Sequence, residues 1–205
     1  MGKYFGTDGF RGEANVDLTV EHAYKVGRYL GWYYSQNGKA KVVIGKDTRR
    51  SSYMFEYALV SGLTASGADV YLLHVTTTPS VSYVVTSEEF DCGIMISASH
   101  NPYYDNGIKI LDGNGHKMDA GVENLIEQYI DGLIDELPYA TKDEIGCALD
   151  YSIGRNRYIG YLMSIPTRAF RNYRVGLDCA NGASSAIAKS CLLYTSDAAD
   201  DMQCV

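Results

Sequence analysis

Apolar residues recur at helical spacing in residues 19–36, where they predict an amphipathic helix. The positions that repeat three and four residues apart are Val20, Ala23, Val26, Tyr29, Leu30 and Tyr33. Thr19 is a suitable cap for the first turn, and Asn37-Gly38 is typical of a helix end. Further helices are expected at residues 53–66, from Pro79 onward and at residues 119–137.

Short β-branched and apolar runs alternate with these helices and predict buried strands. The runs cover residues 41–45, 69–75, 92–97 and 107–111. Strands that alternate with helices imply βαβ units, so we expect an α/β fold: a three-layer α/β/α domain with a mixed, mostly parallel sheet. Residues 107–111 and the HKM run that follows them are expected to add an antiparallel pair at one end of the sheet.

A polar stretch, residues 138–151, is interpreted as the exit from a first domain, residues 1–150. A helix is expected at residues 154–165, ending before Pro166. Residues 174–179 (RVGLDC) then predict a strand, and Ala180-Asn181-Gly182 leads into another helix. We interpret residues 151–190 as a linker helix and the first strand and helix of a second, similar domain.

Residues 191–205 (CLLYTSDAADDMQCV) do not continue this pattern. Their first eleven residues resemble the in-frame translation of a transposase adapter used to prepare sequencing libraries. We therefore expect residues 191–205 to be an artefactual tail on the N-terminal part of a longer protein. A natural acidic tail is the alternative.

Composition narrows the class of protein. The chain has 205 residues, of which 46% are hydrophobic, so it is able to bury a core. A net charge of −7 and a pI near 5.0 argue against nucleic-acid or anionic-membrane partners. Five irregularly spaced cysteines argue against a disulfide scaffold or a zinc site and favour the cytoplasm.

The strongest chemical signal is SASHNPYYDNGIK, residues 97–109, after the third predicted strand. Ligands of open α/β sheets bind beyond the carboxyl ends of the strands. This run places serines, an imidazole, amides and a lysine at that position. The same composition suits an ordinary polar turn, and Lys109 between Ile108 and Ile110 is also compatible with a side chain that faces solvent.

Two further loops have the chemistry of an anion site. FGTDGFRG, residues 5–12, is rich in glycine around one arginine, and GKDTRR, residues 45–50, follows a strand and carries three cations. Glycine lets backbone N–H groups approach an anion, and arginine offers a bidentate fork. Basic turns are also common on solvated surfaces. The chain has neither a Walker-type loop nor GxGxxG after a strand, which disfavours those nucleotide folds.

FGTDGFRG, GKDTR and GIMISASHNPYYDNGIKI, in this order, resemble the α-D-phosphohexomutase superfamily. The spelling of the first and last motifs favours the branch that interconverts glucosamine 6-phosphate and glucosamine 1-phosphate over relatives that act on mannose or glucose phosphates. The resemblance implies a cytoplasmic enzyme with Mg²⁺ as cofactor and glucosamine 1,6-bisphosphate as activator and intermediate. Its substrate would be a small hexosamine phosphate, and members are often homodimers.

The resemblance also assigns roles to residues. Ser99 matches the family's phosphoserine, which carries the phosphoryl group and, once phosphorylated, is a ligand of Mg²⁺. Arg11 matches the arginine beside the transferring phosphate, Lys109 the proposed general acid and base, and His100 a histidine that positions the sugar hydroxyl or assists proton transfer. Supporting substrate- and phosphate-binding roles are expected for Thr7, Lys46, Arg49 and Asn101.

Three parts of the family pattern are not found in these residues: the metal-binding aspartate loop, the sugar-specificity loop and a C-terminal phosphate loop. We therefore expect little or no mutase activity from the chain alone. Two other classes stay open, a non-catalytic phosphosugar-binding module and a serine hydrolase that uses Ser99 and His100. The lack of a G-x-S-x-G elbow disfavours the hydrolase.

Overall fold

Strands and helices alternate along the computed structural model, which describes residues 2–167 and 174–196. The strands are β1 (Phe5–Gly6), β2 (Gly9–Glu13), β3 (Lys41–Lys46), β4 (Asp69–Val75), β5 (Cys92–Ile96), β6 (Asp105–Asp112) and β7 (Ala148–Asp150). The helices are α1 (Val20–Tyr34), α2 (Arg50–Ala65), α3 (Thr78–Ser87), α4 (Ala120–Ile130), α5 (Ser152–Ser164) and α6 (Ser185–Ser196). The four predicted strands correspond to β3, β4, β5 and β6, and the predicted N-cap, Thr19, accepts a hydrogen bond from the backbone of His22.

One mixed sheet contains all of these strands in the order β1-β2-β6-β5-β3-β4-β7. β5, β3, β4 and β7 are parallel neighbours, whereas β6 is antiparallel to β5, β2 to β6, and β1 to β2. Five of the seven strands therefore point in the same direction. β3 and β5 are almost wholly buried because helices cover both faces of the sheet there.

Two apolar clusters lie on opposite faces of the sheet. Val42 and Ile44 of β3 pack with residues of α1, α2 and α4, whereas Val43 of the same strand packs with residues of α3. Successive side chains of a strand point to opposite faces, so the two clusters are separate layers. The predicted three-layer α/β/α fold is confirmed. Among the described residues, none of the helices has the length and apolar character to cross a bilayer.

The N-terminal segment is a β-hairpin and not the loop that its glycines predicted. β1 and β2 pair through Phe5 and Phe10, and β2 pairs with β6 so that Arg11 lies opposite Gly107. β6 is therefore inside the sheet, and the prediction that it would lie at one end is wrong. The HKM run contributes a single bridge, between Lys117 and Leu111.

Helix α4 ends at Ile130, earlier than the predicted end at residue 137. Gly132 takes a left-handed backbone conformation, with φ of +72°, and the Leu133 backbone N–H donates to Gln128 O at 2.8 Å. A glycine in this conformation is a common stop for a helix, because other residues adopt it at a steric cost.

Residues 138–150 wrap back onto the first domain, although the sequence predicted an exit there. The backbone N–H groups of Ala140 and Gly146 donate to the carbonyl oxygens of Ala65 and Thr64 at the end of α2. β7 then adds a parallel edge strand to β4. The polar composition of this segment reflects its exposure and not a loss of contact with the domain.

Residues 174–179, predicted as a strand, are not in a strand in the described structure. A strand needs a neighbour for its hydrogen bonds, and no described segment pairs with this one. Helix α6 reaches Ser196 and includes the first residues of the predicted tail, whereas residues 197–205 lie outside the described residues. The domain boundaries at residues 150 and 190 stay predictions.

Arg28 of α1 joins three parts of this domain from a fully buried position. Its guanidinium donates to the Ser66 hydroxyl after α2 and to the backbone oxygens of Leu137 and Pro138. It also lies 3.8 Å from the ring centroid of Tyr139. The bonds to the Ser66 hydroxyl and to the Leu137 backbone oxygen are buried, so the guanidinium supplies donors inside the domain.

Arg28→Met is expected to lower the free energy of unfolding by about 3 kcal/mol, because it removes a buried cation that donates to the Ser66 hydroxyl and to the Leu137 backbone oxygen. Urea unfolding followed by circular dichroism measures this loss. Arg50→Met, the same change at an exposed arginine, should stay within about 0.5 kcal/mol of the wild type. Equal unfolding midpoints for the two variants would contradict this account of Arg28.

Candidate active site

Strands β2 and β6 bring two cations together. Arg11 lies opposite Gly107, and Lys109 is two residues further along β6 on the same face. A Cβ atom at Gly107 would lie 2.9 Å from Arg11 Cγ, so the glycine makes room for the arginine. Asp8 lies between the two cations, with Oδ2 3.6 Å from Arg11 Nη1 and Oδ1 3.8 Å from Lys109 Nζ.

Glu127 of α4 fixes the hairpin that carries Arg11. Its carboxylate accepts hydrogen bonds from the backbone N–H groups of Lys3, Tyr4 and Phe5, at 2.9, 2.7 and 2.7 Å. Burial of Glu127 opposes its ionisation, but the three backbone donors outweigh burial and lower the pKa of the carboxyl below its usual value. The ionised carboxylate therefore stabilises the start of β1.

The contribution of Glu127 to stability is expected to depend on pH in one direction. Because the folded-state pKa is depressed, the stabilisation is complete above the unfolded-state pKa, at about 4.3, and is lost as pH falls through the folded-state value. Glu127→Gln should lower the free energy of unfolding by about 2 kcal/mol at pH 7. Urea unfolding at several pH values should show this difference shrinking below about pH 4, and a difference that grows on acidification would contradict the assignment.

The loop after β5 holds Ser99 in an unusual backbone conformation. Its φ is +54°, in the left-handed region that disfavours residues other than glycine. The side chain is exposed, and its Oγ lies 3.4 Å from Nδ1 of His100. Surrounding contacts must maintain such a conformation, and it is common at functional sites.

The hydroxyl of Ser97, the first serine of the motif, makes two hydrogen bonds. Its hydroxyl donates to Asp47 Oδ2 at 2.8 Å and accepts from the backbone N–H of Ser99 at 3.0 Å. Asp47, directly after β3, also accepts from the backbone N–H and from Nε of Arg49, at 2.8 and 2.9 Å. Asp47 thus connects the GKDTR loop with the loop between β5 and β6, residues 97–104, which is called the serine loop below.

Arg49 is bonded to the serine loop through both terminal nitrogens of its guanidinium group. Nη2 donates to the backbone oxygens of Ser99 and Asn101, each at 2.9 Å. Nη1 donates to the backbone oxygens of Pro102 and Asp105. Together with the Nε bond to Asp47, these contacts use all five N–H groups of the side chain.

The serine loop and the GKDTR loop line a cavity of about 710 Å³, in which Arg49, Ser99 and Asn101 take part. A smaller cavity of about 310 Å³, the Ser99 cavity, lies between the serine loop, β2 and β6. Another cavity, of about 440 Å³, is remote from these loops. The Ser99 cavity is lined by Asp8, Arg11, Thr78, Met95, Ser97, Ser99, His100 and Lys109. Four sequence-predicted residues, Ser99, His100, Lys109 and Arg11, are therefore brought together. Nε of Arg11 is buried and has no hydrogen-bond partner among the described residues, and two cations with one counter-ion suit an anionic ligand.

Two other predicted site residues, Thr7 and Lys46, do not line the Ser99 cavity. Thr7 is exposed in the β1–β2 turn and lines a different cavity. Lys46 is 3% exposed, forms an ion pair with Glu56 of α2 and lies 3.9 Å from the ring centroid of Tyr53. The structure therefore brings neither Thr7 nor Lys46 to the Ser99 cavity.

Asn101 lies in the serine loop and lines the cavity of about 710 Å³ with Ser99 and Arg49, but it does not line the Ser99 cavity. Its side-chain amide donates to Asp105 Oδ2 at 2.9 Å and closes the loop. Asn101 therefore helps to shape the loop, and its expected role in binding phosphate stays a prediction.

Three residues of this site were missed from the sequence: Asp8, Asp47 and Ser97. A signal for Asp47 did exist, because an aspartate directly after a strand is typical of an Asx turn. In such a turn the side chain accepts from the backbone N–H two residues later, as Asp47 does from Arg49. Asp8 and Ser97 are ordinary turn residues, so their types alone carry no signal for these contacts.

The fold and these loops define a known class of protein. The family described as phosphoglucomutase/phosphomannomutase, α/β/α domain I, matches residues 2–135. The chain belongs to this family, which confirms the resemblance seen in its motifs. A solved phosphoglucomutase/phosphomannomutase family protein from Burkholderia thailandensis has the same fold, with a TM-score of 0.77 over 95% of this chain and 43% of that chain, at 23% sequence identity.

Curated relatives specify the similarity further. A protein from Lachnoclostridium phytofermentans named phosphoglucosamine mutase is 71% identical over 189 residues, which are 92% of this chain and 42% of that protein. One with the same name from Lachnospira eligens is 68% identical over 193 residues, 93% of this chain and 43% of that protein. The chain thus spans about two fifths of the length of the curated relatives it matches.

Proposed function

We propose that this chain is the phosphoserine-bearing part of a phosphosugar mutase that interconverts glucosamine 6-phosphate and glucosamine 1-phosphate. The observation that carries the proposal is the exposed Ser99 hydroxyl beside a cavity that holds Arg11 and Lys109. Identity of 71% to a relative named phosphoglucosamine mutase supports the choice of glucosamine phosphates over mannose or glucose phosphates.

Ser99 is the better carrier of the two serines in the motif. The Ser97 hydroxyl already donates to Asp47 and accepts from the Ser99 backbone, so its phosphorylation would break both bonds. In the part of the chain that the structure describes, the Ser99 hydroxyl has one contact, at 3.4 Å to Nδ1 of His100. A phosphoryl group on Ser99 would bring about −1.5 to −2 charges beside Arg11 and Lys109.

The proposed reaction consists of two balanced transfers. In the first, the bond between Ser99 Oγ and phosphorus breaks, a bond forms from phosphorus to a free hydroxyl of the sugar phosphate, and the hydroxyl proton passes to a base. The product is glucosamine 1,6-bisphosphate. In the second, Ser99 Oγ takes back the other phosphoryl group, and the sugar oxygen that is released regains a proton. No free phosphate is formed.

Three residues would assist these transfers. Arg11 would neutralise charge on the moving phosphoryl group through its unpartnered Nε and its terminal nitrogens. Lys109 would accept and return the hydroxyl proton, and His100, next to the Ser99 hydroxyl, would orient the sugar oxygen. Asp8 is the counter-ion of both cations before an anionic ligand binds.

Magnesium would be needed to neutralise the phosphoryl group further. Among the described residues, no three acidic, histidine or cysteine side chains converge on a possible metal position. Phosphorylated Ser99 would supply one oxygen ligand, so these residues do not make a complete site.

The substrate class, the cellular compartment and the oligomeric state are also part of the proposal. The substrate would be a small hexosamine phosphate, the protein would act in the cytoplasm, and a homodimer remains a prediction. Cys92, Cys147 and Cys179 are free thiols, in keeping with a reducing compartment.

A hybrid protein tests the proposal. It joins residues 1–190 of this chain to the part of the L. phytofermentans relative that lies beyond the aligned region. With Mg²⁺ and a trace of glucosamine 1,6-bisphosphate, the hybrid should convert glucosamine 6-phosphate into glucosamine 1-phosphate, measured by ³¹P NMR. The 205-residue chain alone should show no turnover. An inactive hybrid that folds and binds Mg²⁺, or one that prefers mannose or glucose phosphate, would overturn the proposal.

The contact between Ser99 and His100 is also the one observation that favours a serine hydrolase. A fluorophosphonate probe separates the two functions, because it labels an activated serine nucleophile. The mutase proposal predicts no label on Ser99 under conditions in which a control hydrolase is labelled completely.

A further inference from the structure

We propose that Arg49 and Asp47 are positioning residues that fix the backbone of Ser99, and that Arg49 does not bind the substrate phosphate. The proposal rests on the proposed function, in which Ser99 carries the phosphoryl group. It replaces the sequence-based role of Arg49, which followed from its charge and from its place in a basic loop.

The contacts of Arg49 leave it no donor for a ligand. Its side chain is 10% exposed, and its five N–H groups bond to the Asp47 carboxylate and to four backbone oxygens. Those oxygens belong to residues 99–105, so one guanidinium group joins both ends of the serine loop. A phosphate could bind Arg49 only after the loop had lost these bonds.

Ser99 is held on both sides of its Cα atom. Its carbonyl oxygen accepts from Nη2 of Arg49 at 2.9 Å. Its N–H donates to the Ser97 hydroxyl, which in turn donates to Asp47 at 2.8 Å. Since Asp47 also bonds Arg49, the two supports form one network around the left-handed backbone of Ser99.

Fixing this backbone fixes the position of the reacting oxygen. Ser99 Oγ is two bonds from the Cα atom, so a change in φ moves it relative to Arg11 and Lys109 in the Ser99 cavity. A displacement of about 1 Å of a reacting group can cost about 100-fold in rate. Loss of the network should therefore lower kcat and leave the binding of the sugar phosphate almost unchanged.

Arg49→Lys separates positioning from phosphate binding, because lysine keeps the charge but cannot supply five donors in a fork. In the hybrid protein, positioning predicts a fall in kcat of about 100-fold with KM for glucosamine 6-phosphate changed less than about 3-fold. Phosphate binding through charge predicts that kcat and KM both stay near their wild-type values, and a lost phosphate contact predicts a nearly normal kcat with a raised KM. Either result would overturn the proposal. Arg157→Lys, the same change at an exposed arginine of α5 that pairs with Glu88, is the matched control and should leave both constants unchanged.

A second measurement observes the network directly and does not need turnover. In the 205-residue chain, hydrogen exchange followed by NMR should show a protected Ser99 amide. Ser97→Ala should lower that protection at least about 10-fold, and Ser97→Thr, which keeps the hydroxyl, should restore it. The amide of Ile94 in β5 should be unaffected in both variants. Equal protection of Ser99 in all three proteins would overturn the proposal even if the hybrid is active, whereas an inactive wild-type hybrid would count against the proposed function alone.

Discussion

Replacing Ser99 by alanine is expected to lower mutase turnover of the hybrid protein by at least about 10⁴-fold, because the covalent carrier of the phosphoryl group is removed. The free energy of unfolding should change little, since Ser99 is exposed and its hydroxyl makes one contact with the described residues, at 3.4 Å to His100. Steady-state kinetics and urea unfolding of the same preparations separate the two effects.

Ser61→Ala is the control for this experiment. Ser61 is an exposed serine of α2 whose hydroxyl donates only to the Tyr57 backbone oxygen in the described contacts, so its removal should change neither turnover nor stability appreciably. A Ser99→Ala variant with more than a tenth of wild-type turnover would contradict the role of Ser99 as carrier.

Arg11→Met is expected to give the second largest effect, a fall in kcat/KM of about 10²- to 10³-fold. Its guanidinium lies in the Ser99 cavity with a buried Nε that has no protein partner, so the positive charge is available to a phosphoryl group. The variant should also accumulate less phosphorylated enzyme at a given concentration of glucosamine 1,6-bisphosphate, which intact-protein mass spectrometry measures.

Arg157→Met provides the comparison for Arg11, because Arg157 lies on α5 and contacts Glu88 and Tyr151. It should retain wild-type kcat/KM. If the two variants had equal activity, the positive charge of Arg11 would have no part in the reaction.

The sequence predicted the central elements because their periodicity reflects burial. β3 and β5 are continuous apolar runs that both helix layers cover, and α1 repeats its apolar face every three and four residues. The strands β1 and β2 were missed for the opposite reason. They are short and rich in glycine, and pairing with β6, about 95 residues later in the chain, makes them strands.

The cations of the GKDTRR motif pointed to a loop that contacts Ser99, but they did not predict what each cation binds. Lys46 and Arg49 both belong to the basic GKDTRR run, yet Lys46 faces α2 and pairs with Glu56, and Arg49 bonds to carbonyl oxygens. Because every residue has a backbone oxygen, the sequence does not distinguish an arginine that binds backbone oxygens from one that binds phosphate. The loop that carries Ser99, in contrast, could be placed from its position after a strand, whereas the choice of Ser99 over Ser97 came from the family resemblance and stays a prediction.

The most direct test of the account is the location of phosphate on the protein. The hybrid protein is incubated with glucosamine 1,6-bisphosphate and Mg²⁺, digested, and analysed by tandem mass spectrometry. The account predicts one phosphoryl group per chain, on Ser99, and none when Ser99 is replaced by alanine. Phosphate on Ser97, or turnover without any phosphorylated serine in residues 97–99, would contradict it.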